Sequence, residues 1–195
     1  MIYLITDGEL TVENYAESSR KTLELIKRAV AAKISLIQIR EKQIPAKSVF
    51  EFALQAAQIT KKSKTKLLIN DRADIALAAN ADGVHLTANS LSAKVIRKNF
   101  PKNFIIGVSA HSLEKAEIAK NQGADFATFS PIFHSPNKGK SVGLEVLREV
   151  CKKLKPFPII ALGGIDRTNY REVLQIANGF AAIRFLKEVR GEVIV

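Results

Sequence analysis

QIREK, residues 38–42, sets Gln38 and Arg40 two positions apart, on one face of an extended strand, with Lys42 following in the loop. Two cations beside an amide suit a polyanion such as pyrophosphate, because a guanidinium grips oxygens bidentately. The same residues also fit a solvated charged loop. IND, residues 69–71, adds the amide of Asn70 and the carboxylate of Asp71 directly after an apolar run. A carboxylate among cations is a poor phosphate ligand but suits magnesium bridging phosphate oxygens. Asp71 fits equally well as the N-cap of the helix that ADIALAA predicts. SPNKGKSVG, residues 135–143, can present hydroxyl, amide and ammonium donors to an anion and close like a lid, or be an ordinary loop. Gly163 and Gly164 free backbone N–H groups for close approach to a phosphate.

Other chemistries find little support. The single cysteine, Cys151, lies in LREVCKK at apolar helical spacing and reads as packing. No His, Cys and Asp cluster has zinc spacing, and no Ser–His–Asp or nucleophile-elbow pattern occurs. Thirty Lys plus Arg against 19 Asp plus Glu give a net charge of +11, which favours anionic partners. Aromatic residues are only 7% with no Trp, so a single-strand nucleic-acid platform is disfavoured. No apolar run approaches the roughly 20 residues of a membrane span, and MIYLITDGEL lacks the basic segment of a signal peptide. A cytoplasmic protein is the expectation.

The elements that position these groups alternate along the whole chain. Short β-branched runs cover Ile2 to Thr6, Leu36 to Arg40, Lys66 to Asn70, Gly83 to Leu86, Phe104 to Ser109, Phe126 to Ser130, Ile159 to Leu162 and Gly179 to Arg184. Between them the spacing predicts helices over Tyr15 to Ala32 and Ser48 to Lys61, and others from near Ala73, Ser92, Leu113, Leu144 and Thr168, with a short one after Arg184. Continuous apolar strands belong to sheets covered on both faces, hence parallel strands with helical crossovers. Eight such units in 195 residues predict a compact (β/α)8 TIM barrel as one domain over residues 1–195. A doubly wound sheet is disfavoured, since no GxGxxG follows the first strand. In a barrel the chemistry sits at the C-terminal strand ends. Thr6, Asp7, Gln38, Arg40, Asn70, Asp71, His85, Ser109, His111, Ser130, Gly163, Gly164 and Arg184 all fall there.

Together, YLITD, QIREK, LLINDRADIALAANADGVHL, GVSAHSLEKA, GADFATFSPIF and IIALGGI with Asn169 following resemble the thiamine phosphate synthases and their sisters, the thiazole tautomerases. The synthases join an aminopyrimidine methyl pyrophosphate to a thiazole phosphate, releasing pyrophosphate. The resemblance implies that Gln38, Arg40, Lys42, Asn70, Ser109 and Lys138 hold the pyrimidine pyrophosphate and that Asp71 holds Mg2+. It implies that Ser135, Asn137, Gly164 and the end of the eighth strand hold the thiazole phosphate. His111 stands where the tautomerases carry a proton-transferring histidine, which many synthases also have. Retention of QIREK, IND and Lys138 favours the synthase, because those residues have little purpose without pyrophosphate. A tautomerase, or a paralogue that binds a phosphorylated ligand without turnover, is the alternative. The implied partners are small phosphorylated substrates, with neither nucleic acid nor membrane, and a homodimer is admissible.

This sequence departs from the family pattern at four places. HLTANS puts Ser90 where the second metal aspartate falls, SPNK stands for TxTK, Ser130 replaces a glycine, and Arg184 replaces a serine near the eighth strand's end. Ser90 is therefore expected beside the metal, and Arg184 beside the thiazole phosphate.

Overall fold

The computed structural model describes residues 1–135 and 139–188. Strands and helices alternate strictly among them: β1 (Ile2–Ile5), α1 (Tyr15–Ala31), β2 (Leu36–Ile39), α2 (Ala46–Thr60), β3 (Lys66–Asn70), α3 (Ala73–Ala78), β4 (Gly83–Leu86), α4 (Ala93–Asn99), β5 (Ile105–Ala110), α5 (Leu113–Asn121), β6 (Phe126–Phe129), α6 (Gly143–Leu154), β7 (Ile159–Leu162), α7 (Tyr170–Leu174), β8 (Gly179–Ala182) and α8 (Arg184–Lys187). The strands order β1 through β8 in a closed parallel barrel, the fold class the alternation predicts. Within it the chain forms two compact units, Tyr3–Val84 with the segment from Ile183, and Met1–Ile2 with His85–Ala182.

In the first unit β1 pairs with β2 from Tyr3↔Leu36 to Ile5↔Gln38. β2 pairs with β3 from Leu36↔Lys66 to Ile39↔Ile69. All four residues of β2, LIQI, are buried, as a parallel strand covered on both faces requires. α2 buries Val49, Phe52, Ala53 and Ala56, the i, i+3, i+4, i+7 stripe of an amphipathic helix. Phe52 has no exposed surface, and burying such a side chain stabilises by about 1.5–3 kcal/mol.

In the second unit β5, β6, β7 and β8 pair in turn, with Ser109 opposite Thr128. Ser92 and Ser112 cap α4 and α5, each accepting a hydrogen bond from the backbone N–H three residues on. Gly107 lies opposite Phe126 in register. A Cβ at Gly107 would overlap the Phe126 ring and stand 2.8 Å from His85 Nδ1. Glycine is required there by the ring that fills its space.

One open alternative is decided and one sequence expectation is corrected. Asp71 does not cap α3: the N-cap is Arg72, without a side-chain cap bond, and Asp71 takes a left-handed φ of 65°. Such a turn is one that aspartate and asparagine tolerate better than most residues. Strand β8 ends at Ala182, so Arg184 opens α8 rather than closing the strand.

Candidate functional site

In the first unit the pairing of β2 with β3 runs up to Ile39↔Ile69, so Arg40, just past β2, stands level with Asn70, the last residue of β3. Neither Arg40 nor Lys42 has a hydrogen-bond or ion-pair partner for its side chain among the described residues, although most neighbouring charges are paired. Arg72 pairs with Asp74, Lys66 with Asp82, and Lys187 with both Asp7 and Glu9. Lys187 thus occupies the Asp7 carboxylate that lies just past β1. Two unneutralised cations at one strand end are what an anion requires. Gln38 is less free than its place in the motif suggests. It is 1% exposed, and its Nε2 donates to the Tyr3 hydroxyl at 2.8 Å. Burial pushes the Tyr3 phenol above its ordinary range and keeps it protonated.

Glu41, which the sequence reading passes over, is the organising residue of this strand end. It is 8% exposed, and burial raises its pKa against the lowering effect of its hydrogen bonds. The Thr6 hydroxyl donates to Glu41 Oε1 at 2.6 Å and the Leu10 N–H donates to Oε2 at 3.1 Å. Thr6 Oγ1 in turn accepts the Arg40 N–H at 2.8 Å. Gln43 Nε2 donates to the Gly8 carbonyl at 2.8 Å, so residues 41 and 43 together grip the loop after β1. No local pattern signals this role: Glu41 lies past the end of β2, and its donors Thr6 and Leu10 come from the loop after β1.

Asp71 is exposed, and among the described residues its carboxylate accepts no hydrogen bond and forms no ion pair, although its charge acts on the neighbouring Arg72. Among those residues no group of three or more His, Cys, Asp or Glu side chains is placed as a metal cage. Magnesium seldom uses such a cage; it takes one or two carboxylates plus substrate phosphates and water. A free, exposed carboxylate fits that role.

In the second unit His85, 3% exposed, places Nε2 3.0 Å from Ser109 Oγ. Thr128, opposite Ser109, keeps its Oγ1 buried without a partner among the described residues. His111 Nδ1 lies 2.8 Å from the Ser130 carbonyl and 3.3 Å from Ser130 Oγ. The Ser130 hydroxyl, one of the departures from the family pattern, therefore steadies this histidine. Ser90 Oγ accepts the Thr87 N–H at 2.7 Å, closing its own turn. After β6 the chain is stitched to the end of β7, with the Ile132 N–H on Leu162 O and the Phe133 N–H on Gly163 O, both at 3.0 Å. A Cβ on Gly164, whose φ is 66°, would press 2.5 Å from the His134 carbonyl. Asn169 Nδ2 donates to the Gly164 carbonyl at 2.9 Å, which turns the Gly163–Gly164 loop back on itself. Ser135 is half-buried, its Oγ 3.4 Å from the Phe133 carbonyl. Asn137 and Lys138, expected at the phosphates, lie outside the described residues. Arg184 is exposed at the start of α8, in the unit that does not hold the glycine pair.

The sequence model of the family described as thiamine monophosphate synthase matches residues 2–186. The chain is 38% identical to a thiamine-phosphate synthase of Methanocella arvoryzae over 82% of this chain and 77% of that protein. It is 35% identical to a thiamine-phosphate synthase of Syntrophomonas wolfei over 98% of this chain and 91% of that protein. Among solved structures, a thiamine phosphate pyrophosphorylase from Pyrococcus furiosus superposes with a TM-score of 0.81 at 32% identity, covering 96% of this chain and 90% of that one. Nothing in these relatives supports the tautomerase alternative. Among the described residues no helix is long and apolar enough to cross a membrane.

Proposed function

The chain belongs to the thiamine monophosphate synthase family, and from that premise we propose that it joins an aminopyrimidine methyl pyrophosphate to a thiazole phosphate, forming thiamine phosphate and releasing pyrophosphate. The observation that carries this reading is the pair Arg40 and Lys42, left without carboxylate partners beside Asn70 and Asp71.

The chemistry asks chiefly for electrostatic stabilisation. As the carbon–oxygen bond to pyrophosphate breaks, negative charge accumulates on the leaving group and positive charge on the pyrimidine methyl carbon. Arg40 and Lys42 meet the first, the guanidinium through two parallel N–H donors. Gln38 and Asn70 complete the set at this strand end. Asp71 would hold Mg2+, which when bound neutralises phosphate charge. Ser109 would offer a hydroxyl to a phosphorylated substrate, and His85 fixes where that hydroxyl points. The thiazole nitrogen then attacks the carbon with its lone pair, and no proton transfer in that step needs a base. Gly164 and Ser135 supply the thiazole phosphate with a backbone N–H and a hydroxyl, and Asn137 and Lys138 are proposed to act with them.

Incubating the protein with both substrates and Mg2+ tests the reading: thiamine phosphate and pyrophosphate form in equal amounts. Absence of product, with thiazole carboxylate phosphate isomerised instead, overturns it.

A further inference from the structure

Arg40 and Lys42 flank a third charge, the carboxylate of Glu41, yet neither forms an ion pair with it among the described residues. A carboxylate beside two cations ordinarily neutralises one of them. Here it is turned the other way and held by neutral donors of the β1–α1 loop: the Thr6 hydroxyl at 2.6 Å and the Leu10 N–H at 3.1 Å, with the Gly8 N–H facing it as well. The acidic neighbour on that side is Asp7, and Lys187 occupies it. The loop is itself pinned to the segment after β2, since Thr11 bridges Gln43 and the Gly8 carbonyl accepts from Gln43. Gly8, at φ 79°, passes so close that a Cβ there would stand 3.0 Å from the Arg40 carbonyl.

We infer that the β1–α1 loop sequesters the Glu41 carboxylate, so that Arg40 and Lys42 stay unneutralised for an incoming pyrophosphate. The inference rests on the proposed reading of those two cations. Thr6 and Glu41 are positioning residues: they touch no substrate and act through the cations. Thr6 is the central group, because its one hydroxyl donates to Glu41 while accepting from the Arg40 N–H. Without that hydroxyl the carboxylate loses its shortest hydrogen bond and turns to a neighbouring guanidinium or ammonium. The anion must then displace it.

Thr6→Val keeps the shape and removes the hydroxyl. Titration with inorganic pyrophosphate in the presence of Mg2+ is expected to show binding weakened about fivefold, the size of an exposed ion pair that must be broken first. The double variant Thr6→Val with Glu41→Gln is expected to recover the wild-type affinity, because no carboxylate remains to compete. A purely structural role for Thr6 predicts no recovery, since the Arg40 N–H stays without its acceptor in both variants. Glu41→Gln alone serves if Thr6→Val does not fold: its pyrophosphate affinity stays within about twofold of wild type, whereas a tenfold loss overturns the inference. Unchanged binding in Thr6→Val, or no recovery in the double variant, overturns it also. If the wild-type protein itself fails to bind pyrophosphate, the reading of Arg40 and Lys42 falls and this inference with it.

Discussion

The hydroxyl of Thr6 at the end of β1 donates to the carboxylate of Glu41 past the end of β2, across 2.6 Å and 35 residues of sequence. The bond ties two strand ends at the level where Arg40 leaves the sheet. It also buries a carboxylate, and burial raises its pKa more than the donors around it lower it. A glutamate whose folded pKa is raised binds more protons folded than unfolded between the two values, so stability falls as pH rises through that window. The contribution is complete below the unfolded value, 4.5, and is lost as pH climbs past the folded one. Urea denaturation of wild type and Glu41→Gln, from about pH 4 to pH 8, checks this. The wild-type advantage shrinks with rising pH and then levels. A difference that grows with pH would contradict the raised pKa.

Gly107→Ala tests the layer beneath Ser109. The added Cβ overlaps the Phe126 ring and stands 2.8 Å from His85 Nδ1, and β5 and β6 are in register at that point. Overpacking of this kind costs about 1–3 kcal/mol. The melting temperature is expected to fall, and His85 is pushed off Ser109. KM for the pyrimidine pyrophosphate then rises more than KM for the thiazole phosphate. Equal changes in both would mean that Ser109 is not aimed at the pyrimidine substrate.

Much of this was legible in residues 66–86 alone. Lys66–Asn70 and Gly83–Leu86 are strands to the residue, because continuous β-branched and apolar runs have no other stable place than a sheet covered on both faces. The motif QIREK shows its charges directly, with Gln38 and Arg40 two positions apart at the end of a strand and Lys42 in the loop that follows. Glu41 was not legible. In sequence it is one more charge in a charged pentapeptide, and its burial is decided by Thr6 and Leu10, more than 30 residues away. The turn at Asp71 was hidden differently. Aspartate suits both a helix cap and a left-handed φ, and only the path from β3 into α3 decides between them. Nor could local pattern show that His85 meets Ser109, a contact spanning 24 residues between adjacent units of the βα repeat.

Arg40→Lys separates charge from geometry. The Arg40 backbone is fixed through its N–H to Thr6, so the substitution leaves the strand end in place. An ammonium keeps the charge but cannot offer two parallel N–H donors to one phosphate. Calorimetric titration with inorganic pyrophosphate is expected to show a loss of about 1.5–3 kcal/mol, the range for a charged hydrogen bond. Unchanged affinity would remove Arg40 from the binding site.

Ser90→Asp asks whether the loop after β4 lies beside the metal. On the proposed reading Asp71 would supply one carboxylate, whereas magnesium bridging phosphate oxygens is held by one or two. Ser90 is neutral, and its Oγ is committed to the Thr87 N–H at 2.7 Å. An aspartate can keep that bond with one oxygen, because its side chain closes the same kind of turn, and present the other outward. The variant is therefore expected to fold with its loop intact and to need less magnesium for half-maximal rate. On the proposed reading, wild type is expected to work at higher magnesium through Asp71, water and the substrate's own phosphates. Titrating magnesium against the initial rate of thiamine phosphate formation for both proteins decides it. A superimposable magnesium dependence would place Ser90 away from the metal, and full wild-type activity in chelator would remove the metal from the reaction altogether.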